Sequence, residues 1–188
     1  ATLNFGSPFQ WIYAVVLQPD GKIVVAGSAV GDAYPLCALA RYKPDGSLDA
    51  SFDDDGMLVT DISSNSCSFE DLVLQADGKI IAVGWASNGV NNDFVLVRYN
   101  PDGSLDTTFS EDGIQVTDFA SSNDTATGVA LQTDSMIVVA GTGGLIGDVA
   151  VARYAPGGSL DDTFDGDGKL LVSVGGMDRG NDLALQPD

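Results

Sequence analysis

A chain of 188 residues, 44% apolar and 19% charged, is long enough for one domain with its own core and too apolar for an unstructured acidic tail. Its formal charge of −19 excludes attachment to nucleic acid or to an anionic membrane by charge attraction. With no His, imidazole triads and imidazole metal sites are excluded, and no apolar run reaches the length of a membrane span.

The chain opens on Leu3-Asn4-Phe5, which aligns with Thr60-Asp61-Ile62, so residues 1–11 are read as the last strand of a preceding unit. Four short apolar segments follow, at 14–18, 23–28, 36–42 and 57–62, separated by turn chemistry. Pro19-Asp20-Gly21 joins the first two: Pro presets φ and Gly supplies the positive φ of a tight hairpin. Gly27, Gly84 and Gly141 are expected to end the second segment of each unit. No stretch keeps helical spacing beyond a turn or two, and β-branched residues fill the segments, so the chain reads as all-β.

The same words return along the chain. Leu17-Gln18-Pro19-Asp20-Gly21-Lys22-Ile23 recurs from Leu74 and again from Leu131, 57 positions on each time. Arg41-Tyr42-Lys43-Pro44-Asp45-Gly46-Ser47-Leu48-Asp49 recurs from Arg98 and from Arg153, with Phe52, Phe109 and Phe164 behind it. Equivalent strands are expected to superpose at the 57-residue offset. In residues 94–97 and 149–152 both alternating faces are apolar, where a two-layer sandwich would turn polar residues to water. With no helices to cover them, four-stranded units must stack on one another, as propeller blades do.

The expected fold is therefore a β-propeller segment of three consecutive four-stranded antiparallel blades, at 12–68, 69–125 and 126–180, with partial blades at 1–11 and 181–188. The last residues, Leu185-Gln186-Pro187-Asp188, fall inside a hairpin turn, which suggests either part of a ring of roughly seven blades or a chain that assembles through its open edges.

Leu-Gln-Pro-Asp-Gly-Lys-Ile-Val-Val-Ala-Gly, Ala-Arg-Tyr-x-Pro-Asp-Gly-Ser-Leu-Asp, then Phe and a Gly-ended turn: this pattern resembles the bacterial delta-sixty repeat, over three copies and nearly the whole chain. The third copy departs at Asp134-Ser135-Met136 and Ala155-Pro156-Gly157. The resemblance implies a propeller in long secreted or surface-attached bacterial proteins and brings no activity with it.

Candidate site residues are few. Asp49, Asp53 and Asp55, with Asp106 and Asp112 and with Asp161, Asp165 and Asp167, precede Gly turns as Ca²⁺ ligands do, although without EF-hand spacing; the other reading is that they cap turns. Arg41, Arg98 and Arg153 occur once per blade, which suits a structural ion pair with Asp49, Asp106 and Asp161, or an aromatic stack within the repeat, better than a binding site. Cys37 opens the third strand and Cys67 lies in the loop before the second blade, on one rim, where a disulfide is geometrically open in a secreted protein; no His is present to activate either as a thiol nucleophile. Trp11, Tyr13, Tyr34, Trp85 and residues 88–92 from Asn88 break the repeat, as sugar-binding loops do, while the two Trp could equally fill gaps between blades.

The leading functional expectation is a non-catalytic extracellular scaffold, adhesion or assembly module whose partners are further copies of itself or the remainder of a larger propeller. A carbohydrate- or calcium-binding rim is the alternative. A hydrolase or lyase in the central channel has only Asp71 and Asp182 as recurring acids on the inner strands.

Overall fold

The computed structural model describes residues 10–30, 33–62 and 65–186. Leu3, Asn4, Phe5 and the proposed strand before the first blade lie outside them, apart from Gln10 and Trp11, which open the first strand of blade one.

Twelve strands form three four-stranded antiparallel sheets, each a simple meander in chain order. Blade one holds β1 (Gln10–Leu17), β2 (Ile23–Val30), β3 (Pro35–Tyr42) and β4 (Met57–Thr60). Blade two holds β5 (Cys67–Leu74), β6 (Ile80–Ser87), β7 (Asn92–Tyr99) and β8 (Ile114–Thr117). Blade three holds β9 (Thr125–Leu131), β10 (Ile137–Gly143), β11 (Asp148–Tyr154) and β12 (Lys169–Val172). Residues 173–186 continue without regular structure, where a strand of a following blade was expected.

The inner hairpins form as their turns dictate. Gly21 and Gly78 take φ of +82° and +84°, and their N–H groups donate to Gln18 O and Gln75 O. In the third copy Ser135 adopts φ +69° and makes the same bond to Gln132 O, so the turn survives the loss of Gly at some backbone strain.

Two expectations need correction. Gly27, Gly84 and Gly141 do not end their strands: each sits inside β2, β6 or β10, opposite a bulge in the first strand at Tyr13, Glu70 or Thr127. The bulge drives the neighbouring backbone so close that a Cβ on Gly84 would stand 1.9 Å from Ser68 O, and only Gly fits. The 57-residue offset also fails in part. The hairpin strands β10 and β11 have seven residues each where β6 and β7 have eight, so from the third strand onward blade three follows blade two at 55.

Blade two is the filling of the stack. One of its faces joins Val24, Leu39, Phe52 and Leu58 of blade one in a core containing Phe69, Ile80, Val95 and Tyr99. Its other face brings Ile81, Val83, Phe94 and Leu96 against Ile137, Val139, Ala150 and Tyr154 of blade three. Residues 80–83 and 94–97 are wholly buried, as the apolar character of both faces required.

Cys37 and Cys67 are disulfide-bonded with Cα atoms 5.2 Å apart. Cys67 is the first residue of β5 rather than part of a loop, and both cysteines are fully buried, so the bond crosses the core between blades one and two.

Candidate functional site

The polar residues of the repeat converge on the turn after each third strand. Arg41 Nε donates to Asp49 Oδ2 at 2.8 Å, and the same pair forms at 2.7 Å for Arg98 and Asp106 and at 2.6 Å for Arg153 and Asp161. Each guanidinium also lies over an aromatic ring, Phe52, Phe109 or Phe164, at 4.7, 4.6 and 5.1 Å from the centroid. Two of the three reach the next blade as well: Arg41 Nη1 donates to Pro101 O and Arg98 Nη1 to Pro156 O. Beside these, the Asp53 and Ser110 N–H groups donate to Asp102 O and Gly157 O of the following blade, both at 2.8 Å. The repeated Arg is a latch between blades, as well as the ion pair its recurrence suggested.

The same arrangement gives the recurring acids partners within the protein. Asp49 already accepts from Arg41, Lys22 and Ser51, and Asp106 from Arg98, Lys79 and Thr108. Asp161 accepts from Arg153 and Thr163 but has no Lys, because Met136 stands where Lys22 and Lys79 do. Burial raises the Asp49 and Asp106 carboxyls, yet the hydroxyl, amide and cationic partners outweigh it and hold both well below the usual carboxylate range. Asp53 and Asp165 are exposed at left-handed turn positions, with φ of +49° and +48°. Asp55, Asp112 and Asp167 each accept the N–H two residues on, at Met57, Ile114 and Lys169. The eight are turn and latch residues, and they do not converge.

The one group of three carboxylates among the described residues with oxygens within 4.8 Å of one another is Asp93, Asp118 and Asp124. Asp93 lies near the start of β7, and Asp118 and Asp124 stand at the two ends of the loop between β8 and β9. Asn88 and Asn91 donate to Asp93, while Asp124 accepts the N–H groups of Phe119 at 2.6 Å and of Gly144 at 3.1 Å. Asp118 is exposed and caps Ser121. Desolvation, reinforced by Asp118 and Asp93, pushes the Asp124 carboxyl up to about 6. Sequence reasoning missed it because Asp93 lies 25 residues before Asp118 in the chain and the three acids do not repeat as a set.

The aromatic candidates are engaged separately. Trp85 lies in β6 and donates through Nε1 to Glu70 at 3.2 Å; Tyr34 is half-buried ahead of β3; Trp11 is exposed in β1; and Asn88 belongs to the acid group just described. Desolvation raises the Tyr13 hydroxyl, with a smaller contribution from Glu70. On the inner strands Asp71 Oδ2 accepts Val129 N–H from the next blade at 2.9 Å, and burial raises this carboxyl. A shallow hollow of about 790 Å³ opens beside the β10–β11 hairpin, between Leu145, Ile146, Met177 and Arg179.

Stacked four-stranded meanders, joined face to face through a repeated latch, define this molecule as a β-propeller repeat protein. A family model described as "Domain of unknown function (DUF5122) beta-propeller" matches residues 18–52, 75–109 and 132–164, more than half of the chain, and the chain belongs to that family. No curated protein matches it.

Proposed function

We propose that this chain is a non-catalytic propeller module of a secreted or surface-attached bacterial protein, serving as a rigid scaffold, adhesion or assembly unit. The observation that carries the reading is where the repeated polar groups go: Arg, its Asp, the Ser or Thr beside it and the Pro-Asp-Gly turn are all consumed in holding one blade to itself or to the next. A catalytic constellation is needed once, whereas these residues appear in every blade. The buried Cys37–Cys67 bond supports an oxidising location, where such a link persists, and a charge of −19 favours solubility. Non-reducing peptide mapping tests the location. Protein recovered from the culture medium or cell surface of the producing bacterium, with the two cysteines linked, is the expected result; a cytoplasmic protein with free thiols would overturn it.

A second reading, a rim that binds calcium or a glycan, is favoured by Asp93, Asp118 and Asp124 standing together beside Asn88 and Asn91. A glycan array run with and without Ca²⁺ separates the two. Calcium-dependent retention of a sugar supports the rim, and an empty array in both conditions leaves the scaffold.

A further inference from the structure

Asn88-Gly89, at the tip of the β6–β7 hairpin, is the one Asn-Gly pair in the chain. Because Gly has no Cβ, its amide nitrogen can approach the side-chain carbonyl carbon of the preceding Asn unhindered. Both residues are exposed, so water reaches them. The matching stretches of the other blades, Gly31-Asp32-Ala33-Tyr34 and Gly144-Leu145-Ile146-Gly147, hold no Asn.

Every polar atom of the Asn88 side chain is engaged. Oδ1 accepts the N–H groups of Val90 at 2.9 Å and Asn91 at 3.0 Å, which folds the tip back on itself. Nδ2 donates to Asn91 Oδ1 at 2.7 Å and to Asp93 Oδ2 at 2.9 Å. The Gly89 N–H donates to Ser87 Oγ at 3.2 Å. Asp93 is the residue that depends on this amide: it is buried beside Asp118 and Asp124, and among the described residues its side-chain donors are Asn88 and Asn91. Burial raises the Asp93 carboxyl, the bond from Asn88 draws it down, and Asp118 raises it again. Two further bonds tie the hairpin to the β8–β9 loop, from Asn91 Nδ2 to Ser122 O at 2.6 Å and from the Asn92 N–H to Asn123 Oδ1 at 3.0 Å.

We propose that Asn88 is a one-way modification site: the closed tip withholds it from deamidation, and an opening of the tip exposes it to attack by the Gly89 nitrogen, after which the tip no longer closes as before. In the reaction the Gly89 nitrogen bonds to Asn88 Cγ and gives up its proton, the Cγ–Nδ2 bond breaks, and ammonia leaves. Water then opens the five-membered imide to aspartate or isoaspartate. The closed tip opposes the first step at both partners, since the Gly89 N–H is held by Ser87 and the Asn88 amide is fixed by four hydrogen bonds. The product is a carboxylate where Nδ2 stood, facing Asp93 Oδ2 and Asn91 Oδ1, two acceptors and one of them charged. Isoaspartate in addition routes the main chain through the side chain that holds the turn. Tip, Asp93 and the ties to the β8–β9 loop are released together. The site follows from the hairpin's own chemistry and holds for a scaffold and for a ligand-binding rim alike.

Peptide mapping that separates Asn, Asp and isoAsp at position 88 decides the first part, on the full oxidised chain kept in mildly alkaline buffer, native and unfolded in guanidinium chloride. The native rate is expected to be about tenfold or more below the unfolded rate, because a local opening must precede the reaction. Ser87→Ala, which frees the nucleophile, should raise the native rate and leave the unfolded rate unchanged. Equal rates in the two states, or a native rate that Ser87→Ala does not raise, would overturn the protection. Hydrogen exchange on Asn88→Asp, the product of the reaction, decides the second part. Protection should be lost at residues 90–92 and at Asp124, whose N–H donates to Asn92 O. N88D/D93N, which again sets a donor against a carboxylate, should recover it. An Asn88→Asp chain that exchanges as slowly as wild type, or a double variant no better protected than Asn88→Asp, would overturn the one-way release.

Discussion

Blades two and three are built from nearly the same words, yet they are buried differently. Every residue at 94–97 in blade two is inaccessible to solvent, whereas the equivalent β11 of blade three alternates between buried and half-buried positions. The Arg98 side chain is 8% exposed and the Arg153 side chain 24%. The strands themselves do not account for this, since both blades share the first-strand bulge, the Gly opposite it and the Arg–Asp–Phe cluster. What differs is the neighbour: blade two has one on each face. In a stacked repeat, burial belongs to the interface, and each unit's stability depends on its position in the stack.

That comparison can be tested by substitution. The largest effect should be indifferent to position: Gly84→Ala and Gly141→Ala each force a backbone carbonyl to move, and each should cost about 4 kcal/mol or more in chemical denaturation. Unequal losses would mean that the two blades differ internally. Next, Phe94→Ala should cost about 3–5 kcal/mol, because the ring is fully buried and packs at 4.9 Å from Phe119. Its counterpart in blade three, the half-buried Val149→Ala, should cost only about 1 kcal/mol. Equal losses at these two positions would contradict the role given to the neighbour. Removing the disulfide as C37A/C67A should cost about 2–4 kcal/mol for a link spanning 30 residues. Hydrogen exchange should show that loss in blades one and two, with blade three little changed.

The smallest effect is a pH dependence of opposite sign at two places. At the boundary of blades two and three the folded Asp124 carboxyl titrates at about 6, above its ordinary 3.8, so folding favours the protonated form and stability rises as pH falls from about 6 to about 4. In the latches Asp49 and Asp106 are depressed, so their contribution is present above the ordinary carboxylate range and is lost as pH falls below about 4. Thermal melts should therefore reach a maximum between about pH 4 and 5. Asp124→Asn should flatten the decline toward pH 7 without altering the acid limb, and an unchanged decline would remove Asp124 as its cause.

Much of the architecture was legible in the sequence, because it is written three times. The apolar pattern on both faces of residues 94–97 led to stacked blades, and the recurrence of Arg with Asp eight residues on led to the ion pair. The role of Gly84 was not legible, since a Gly inside an apolar run looks like an ending until the bulge at Glu70 places a carbonyl against it. The partners of the acids ahead of the Gly turns were not legible either, since sequence displays carboxylates alone; Lys22, Ser51 and Arg41 engage Asp49 only once the hairpins close. The rim group was invisible for the opposite reason. Asp93, near the start of β7, meets Asp118 and Asp124, at the ends of the β8–β9 loop, in an arrangement that no repeat records.

The bond between Cys37 and Cys67 also decides how the chain would carry a mechanical load. A pull applied to its two ends passes from β3 directly to β5 through sulfur, bypassing β4 and the connecting loop. About 30 residues, roughly 100 Å of extended contour, are thereby withheld from stretching. An optical-trap trace of the oxidised chain should end short of the reduced chain by about that length. The shielded segment includes Asp49, Phe52 and the turn that latches onto blade two, so the first joint stays close to its partner even after the strands around it have given way.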